Sequence, residues 1–201
     1  MKTGNRSRRT TLLGLLTAIL MVFGMTPLGY LNIGPLAISF NMIPVAIGAA
    51  ALGPVGGAIL GAVFGMTSFL QCLGIGGSSA MGVILFDINP FFAFVQRFVP
   101  RVIAGFLVGV IYQVARKFFK AGVAGSIAGF CAAVLNTVLF MGALILLFGN
   151  TQYLTDLIAG RNVIVFICTF VGVNAVAEAL ATTAVTGALT AALERSGLLR
   201  R

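Results

Sequence analysis

The chain has 201 residues, of which 59% are hydrophobic and only 8% are charged, and it contains no His and no Trp. A soluble domain needs roughly 25% charged residues to cover its surface, so this composition excludes an ordinary soluble protein. The net charge of +9 does not indicate nucleic-acid binding, because the cations flank hydrophobic runs and form no soluble basic face. The length leaves room for about six membrane spans of ~20 residues and for no separate soluble domain.

The N-terminal segment is a short basic head, residues 1–10, followed by the apolar run Thr11–Met25. A secretory signal peptide has the same order, but no small-x-small cleavage site follows and further hydrophobic runs do. We therefore predict a retained first span whose N-terminus is cytoplasmic. Gly14 and Ala18 form a small-x-x-x-small pair on this span, which suits helix contact within the chain or with a partner protein.

The stretch Phe40–Ser68 is apolar from end to end and is broken only by Gly53-Pro54. This pattern predicts two short helices joined by a tight turn. The second helix carries glycines at four-residue spacing: Gly57, Gly61 and Gly65. Such a stripe lets another helix backbone approach closely.

Three segments are predicted as outer loops: residues 26–39, Gln71–Asn89 and Gly149–Arg161. The first holds two prolines and two glycines and is expected to fold over the end of the bundle. The remaining spans are predicted at Phe91–Tyr112, Val123–Phe148 and Val163–Leu193.

The orientation follows from the cations, because cytoplasmic ends of membrane helices are enriched in Lys and Arg. Ten of the 13 cationic residues lie in the head, in the turn Arg116–Lys120 and in the basic tail 194–201. The sequence thus predicts an all-α membrane protein with six transmembrane helices over residues 11–193, with both termini in the cytoplasm.

Polar side chains inside apolar spans are costly, so they are the candidate functional residues. The set is Asn41, Gln71, Arg97, Arg101, Asn136, Asn174 and Glu178. Structural roles are open for each: an Arg can extend to lipid headgroups, and an Asn can join two helices by a hydrogen bond. Glu178 is the one carboxylate within a predicted span, and it either pairs with an Arg, is protonated or faces water.

Several chemistries lack their residues in this sequence. There is no His, no Cys-x-x-Cys pair and no phosphate-binding loop, so we predict no metal site, no cofactor and no ATP hydrolysis by that loop. No paired acid and base indicates an enzyme. The chain is expected to bind a solute without an energy source of its own.

The sequence resembles the substrate-binding S components of energy-coupling factor (ECF) vitamin transporters. The resemblance rests on the hairpin IPVAIGAAALGPVGGAILGAVFG, the run PRVIAGFLVGVIY, the pair Asn136-Thr137 and the segment NAVAE. TPLGYLNIGPL, which precedes the hairpin, is most similar to the pantothenate-type members.

The resemblance implies a six-helix subunit of the prokaryotic cell membrane that captures a vitamin beneath its outer loops. It also implies partners, namely a transmembrane coupling subunit and two cytoplasmic ATPases. The surface around Gly14 and Ala18 is expected to dock on the coupling subunit. For pantothenate, an Arg would suit the carboxylate, and Asn or Gln side chains would suit the amide and hydroxyl groups.

Alternatives remain open at this point. Riboflavin or another vitamin is the second candidate, since Tyr30, Phe40 or Phe94 could stack on a flat ring. A stand-alone facilitator or channel would need a continuous polar path through the bundle. An intramembrane enzyme would need a catalytic constellation that the sequence does not show.

Overall fold

The structure is a helical bundle, described here by a computed structural model for residues 2–26, 29–33, 36–76, 79–158, 163–197 and 199. Side chains are described for these residues except 2–6, 30–33, 36–38, 163–171, 173 and 174. The helices are α1 (Lys2–Met25), α2 (Met42–Leu52), α3 (Pro54–Leu70), α4 (Ala80–Ile88), α5 (Pro90–Phe118), α6 (Ala121–Phe148), α7 (Gln152–Ile158) and α8 (Val163–Arg195). Two short antiparallel strands, β1 (Tyr30–Ile33) and β2 (Leu36–Ser39), and one turn of 3-10 helix (Gln71–Leu73) complete the described elements.

Membrane character is evident in five helical segments that are long and apolar enough to cross a bilayer. These are Ser7–Met25, Pro54–Leu73, Pro90–Phe118, Ala121–Phe148 and Ala175–Arg195. Helix α2 is apolar but has only 11 residues. At a rise of about 1.5 Å per residue it extends through roughly half of the hydrocarbon layer. The core between the helices is apolar and includes Leu20, Val45, Leu60, Val108 and Ala128.

The predicted helical hairpin is confirmed as α2 and α3, which are separated by a single residue. Gly53 has a φ of 85°, a region that favours glycine, and Pro54 opens α3 at its first position. The sharp reversal therefore follows from these two adjacent residues.

The glycine stripe on α3 is confirmed as the surface that packs on α5. A Cβ atom at Gly57 would lie 2.2 Å from the carbonyl oxygen of Gly105, and one at Gly61 would lie 2.2 Å from that of Arg101. Helices α3 and α5 thus touch backbone to backbone, which only residues without a side chain permit. This contact fixes the register of α5 and places its arginines beside α3.

The two ends of the bundle differ in chemistry. At the basic end, Arg9 donates a hydrogen bond of 2.8 Å to the carbonyl oxygen of Leu52, and Arg116 forms an ion pair with Glu194. The opposite end contains the strands β1 and β2, the 3-10 helix and α4. It is called here the hairpin end after the β1–β2 hairpin, and the turn of the α2–α3 helical hairpin lies at the basic end. Gln71 links the 3-10 helix to α1, because its side-chain nitrogen donates a hydrogen bond of 2.6 Å to the carbonyl oxygen of Gly24.

Two helices are longer than the predicted spans. Helix α1 begins at Lys2 and so includes the basic head, and α5 extends six residues beyond Tyr112 to Phe118. The segments predicted as loops contain β1–β2, α4 and α7. Helices α4 and α7 form because each is capped at its N-terminus by a side chain. The hydroxyl oxygen of Ser79 accepts a hydrogen bond from the N–H of Gly82 in α4, and that of Thr151 accepts one from the N–H of Leu154 in α7.

Candidate functional site

Arg97 links three helices at the hairpin end. Its guanidinium donates to the hydroxyl oxygens of Ser68 on α3, at 3.3 Å, and of Ser79 before α4, at 3.2 Å. The side chain is only 6% exposed, and its guanidinium carbon lies 5.3 Å from the ring centre of Phe140 on α6. Arg97 therefore does not extend to solvent or lipid headgroups, one of the two roles that its sequence position allowed.

Arg101 lies one helical turn further along α5 and is equally buried. Its guanidinium carbon is 4.5 Å from the ring centre of Phe64 and 4.8 Å from that of Phe140. It also donates to the carbonyl oxygen of Arg97 at 2.6 Å. Both arginines thus contact one aromatic ring, which concentrates two positive charges in a small volume.

Pro100 places a local defect in α5 between these arginines. Because proline has no N–H, it cannot hydrogen-bond the carbonyl oxygen of Gln96, which lies four residues earlier. The Gln96 side chain is fully buried, and neither its amide nitrogen nor its amide oxygen has a hydrogen-bond partner among the described residues. This part of α5 therefore combines two cations with a buried amide that has no described hydrogen-bond partner.

Glu178 on α8 places a carboxyl group near Arg101. It is 8% exposed and lies within electrostatic range of Arg101 and within hydrogen-bond range of the backbone of Ser39. The chain has four acidic residues, of which Asp87 and Asp156 are exposed and Glu194 pairs with Arg116. Glu178 can therefore balance at most one of the two buried positive charges.

Two asparagines border the same region. The side-chain nitrogen of Asn41, which is fully buried, donates to the hydroxyl oxygen of Ser39 at 3.2 Å. Asn136 lies one turn before Phe140 on α6. The side-chain oxygens of both asparagines are buried and have no hydrogen-bond partner among the described residues.

Contacts in the structure therefore link four of the predicted residues, namely Asn41, Arg97, Arg101 and Glu178. Asn136 follows from its position one helical turn from Phe140, the ring that both arginines contact. Gln71 is at the same end of the bundle but bonds the last turn of α1. The side chain of Asn174 lies outside the described residues, so its predicted role has no structural counterpart here. Whether any of these residues binds substrate stays a prediction.

Sequence reasoning missed Gln96, Ser68, Ser79, Phe64 and Phe140. Gln96 could have been found, because it is a polar residue inside an apolar span like the others. The serines and phenylalanines carry no such signal, since the chain has 17 Phe and only the packing shows which of them meet an arginine.

The predicted docking pair lies on the outer face of α1. Gly14 and Ala18 are both exposed, and a Cβ atom at Gly14 would meet no atom within 4 Å. Leu15, Met21 and Val22 are exposed on the same helix.

Comparison with known proteins identifies the family to which the chain belongs. A family model described as "ECF transporter, substrate-specific component" matches residues 8–190. The chain belongs to this family. The pantothenic acid transporter PanT of Lactococcus lactis subsp. cremoris (strain MG1363) is 26% identical over 206 residues, which cover 96% of this chain and 98% of that protein.

Membership identifies the chain as a vitamin-uptake S component, a transporter subunit and not an enzyme. S components bind small vitamin substrates and work with the proteins of an ECF module. Family membership and the apolar helices together identify the chain as a multi-pass protein of a prokaryotic plasma membrane.

Proposed function

We propose that this S component binds pantothenate at the hairpin end of the bundle and delivers it through a coupling subunit powered by two ATPases. The observation that carries the substrate assignment is the pair of buried guanidiniums at Arg97 and Arg101 on one ring of Phe140. Two guanidiniums held this close together favour an anionic ligand, and a carboxylate group suits them. Pantothenate supplies that group together with an amide and hydroxyls, and a distant relative is named as a pantothenic acid transporter.

The proposed site consists of Asn41, Gln71, Arg97, Arg101, Asn136, Asn174 and Glu178, to which the buried side chain of Gln96 is added. Arginine suits the role because its planar guanidinium can hold a carboxylate through two parallel hydrogen bonds. The aromatic rings of Phe64 and Phe140 hold the Arg101 guanidinium in place before ligand arrives. Less side-chain entropy is then lost on binding.

The topology that goes with this function has six spans, with α2 as the short one, and both termini in the cytoplasm. In support, Arg9, Arg116 and the α2–α3 turn lie at one end of the bundle. Residues 1–10 and 194–201 then form basic cytoplasmic ends of a transmembrane domain over 11–193, as the cation distribution favours.

Of the three residues named as platforms for a flat ring such as riboflavin, Phe94 already packs against other aromatic rings. Phe94, a candidate platform for a flat ring, packs edge-on against Phe69 and in parallel against Phe98, with centroid distances of 5.1 Å for each pair. Phe64 and Phe140 are covered by arginine.

A stand-alone facilitator is disfavoured by the packing of α6 on α8. A Cβ atom at Gly129 would lie 2.4 Å from the carbonyl oxygen of Thr182, so no solute fits between the backbones there. The buried threonine Thr182 also donates its hydroxyl to its own helix, at the carbonyl oxygen of Glu178. Where the structure describes its side chains, α8 thus packs closely on α6 at Thr182, which argues against a solute path between these two helices.

Equilibrium binding tests the substrate assignment. The purified chain in lipid nanodiscs is titrated with labelled pantothenate, and riboflavin competes in a parallel titration. We expect saturable pantothenate binding that excess riboflavin does not displace. Binding of riboflavin in place of pantothenate would contradict the proposal.

A further inference from the structure

Four buried oxygen atoms of the proposed site accept no hydrogen bond from any described residue. One is Oε1 of Gln96 on α5, whose amide nitrogen also lacks a described partner. The other three are Oδ1 of Asn41, Oδ1 of Asn136 and Oε1 of Glu178, called here the acceptor set. A buried acceptor without a donor destabilises the folded protein, because its hydrogen bonds to water are lost and not replaced. Three such atoms in one region indicate that donors come from a ligand.

The acceptor set occupies the side of the site formed by α2, α6 and α8. Ser39 connects two of its members, since its hydroxyl binds the Asn41 amide nitrogen and its backbone lies within range of Glu178. Asn136 is one turn from Phe140, the ring that Arg101 covers. Arg97, by contrast, is hydrogen-bonded to Ser68 of α3 and to Ser79 beside α4.

The side chain of Asn41 is free for this role because it does not serve the helix that follows it. Asn41 precedes α2, yet it makes no side-chain hydrogen bond to the first turn. Asparagine at such a position ordinarily caps the helix. Here the amide nitrogen bonds Ser39 instead, which leaves the oxygen as an acceptor.

We propose that the site is polarised and therefore fixes the direction of its ligand: the acid group binds at the arginines, and hydroxyl donors bind at the acceptor set. This inference rests on the proposed function and adds to it the ligand orientation and the groups that set specificity. It assigns to Glu178 a role as acceptor for a hydroxyl group of the ligand. A vitamin that has an acid group but no hydroxyl at its far end would leave three buried oxygens unsatisfied.

The test compares three ligands on the full-length chain in nanodiscs. Pantothenate has both ends, panthenol replaces the carboxylate by a hydroxymethyl group, and a dideoxy analogue replaces both hydroxyl groups of the acyl end by hydrogen. Glu178→Gln also removes a carboxyl group beside Arg101, which affects every ligand that carries a carboxylate. The readout is therefore the ratio of the Kd of the dideoxy analogue to the Kd of pantothenate, because both ligands carry that carboxylate. We expect Glu178→Gln to lower this ratio about tenfold, since only pantothenate has a hydroxyl that bonds the carboxylate.

A matched control is Tyr112→Phe, which also removes a buried hydroxyl without a described hydrogen-bond partner. Tyr112 lies within electrostatic range of Arg116 and Glu194, at the basic end. Binding of all three ligands should therefore be unchanged. If Glu178→Gln does not fold, Asn136→Leu carries the same expectation with a side chain of similar size.

Equal losses for pantothenate and the dideoxy analogue would overturn the inference, as would a dideoxy analogue that binds the wild-type chain as tightly as pantothenate. Failure of the proposed function has a separate signature, because a wild-type chain that does not bind pantothenate refutes it without any variant.

Discussion

At the scale of the residue, the buried arginines are the central feature. Two guanidiniums and one carboxylate lie among apolar helices, where a charged side chain costs several kcal/mol unless it is paired or hydrogen-bonded. Hydrogen bonds to serine hydroxyls and to a backbone carbonyl, together with aromatic contacts, offset part of that free-energy cost. A carboxylate ligand would offset more of it, so the charge of the site favours binding of an anion.

Removal of either guanidinium should weaken binding of a carboxylate ligand. Hydrogen bonds to charged groups contribute about 1.5–3 kcal/mol, which corresponds to roughly a 10- to 100-fold increase in Kd. We expect this loss for pantothenate with Arg97→Ala and with Arg101→Ala, measured by titration, and a much smaller loss for panthenol. Arg116→Ala is the control, because its ion pair with Glu194 lies at the basic end. Normal pantothenate binding by both variants would show that the arginines are structural.

At the scale of the element, the α3–α5 contact positions the site. The glycines of α3 allow the backbone of α5 to approach at Arg101 and Gly105, so a change in this contact moves the arginines directly. This contact could be predicted from the sequence, because glycines at four-residue spacing in an apolar helix commonly allow close packing with another helix.

Gly61→Ala should destabilise the protein and weaken binding together. The new methyl group would lie 2.2 Å from the carbonyl oxygen of Arg101, and overpacking of this kind costs about 1–3 kcal/mol. Thermal unfolding in detergent measures the loss. Gly142→Ala on α6 is the matched control, since its Cβ atom would meet nothing within 4 Å and Ala is the better helix former. Similar melting temperatures for the two variants would contradict the packing account.

The elements between the spans were predicted less well. Proline and glycine in residues 26–39 indicated a loop, yet this segment contains β1 and β2, whose antiparallel register pairs Tyr30 with Ser39. Helix α4 was not predicted, because it follows a glycine- and serine-rich segment that is typical of a loop. Only the structure shows that Ser79 in this segment caps the helix. Likewise, Ser68 and Phe140 gain their roles only from the arginines beside them, and no local pattern marks such a partner.

At the scale of the whole molecule, the candidate site and the basic end lie at opposite ends of the bundle. Arg97 and Arg101 lie at the hairpin end, whereas Arg9 and Arg116 lie at the basic end, and α1 presents an exposed face with small residues. Such a face permits close contact with a partner helix in the membrane. The S component family supplies the reason for one, since these subunits work with an ECF module.

A large side chain on this face should block docking without affecting capture. We expect Gly14→Leu to bind pantothenate with normal affinity but to co-purify poorly with the coupling subunit and its ATPases. Gly142→Leu is the control, because it adds the same side chain to an unobstructed position on α6. Loss of pantothenate binding in Gly14→Leu would show that this face supports the fold, and normal co-purification would show that docking occurs elsewhere.

The most direct test of the account is pantothenate uptake by proteoliposomes that contain the chain with or without the ECF module, each with ATP inside or absent. We predict that the chain alone binds pantothenate without accumulating it, and that accumulation requires both the module and ATP. Accumulation by the chain alone would contradict the account, because it would make this protein a transporter in its own right.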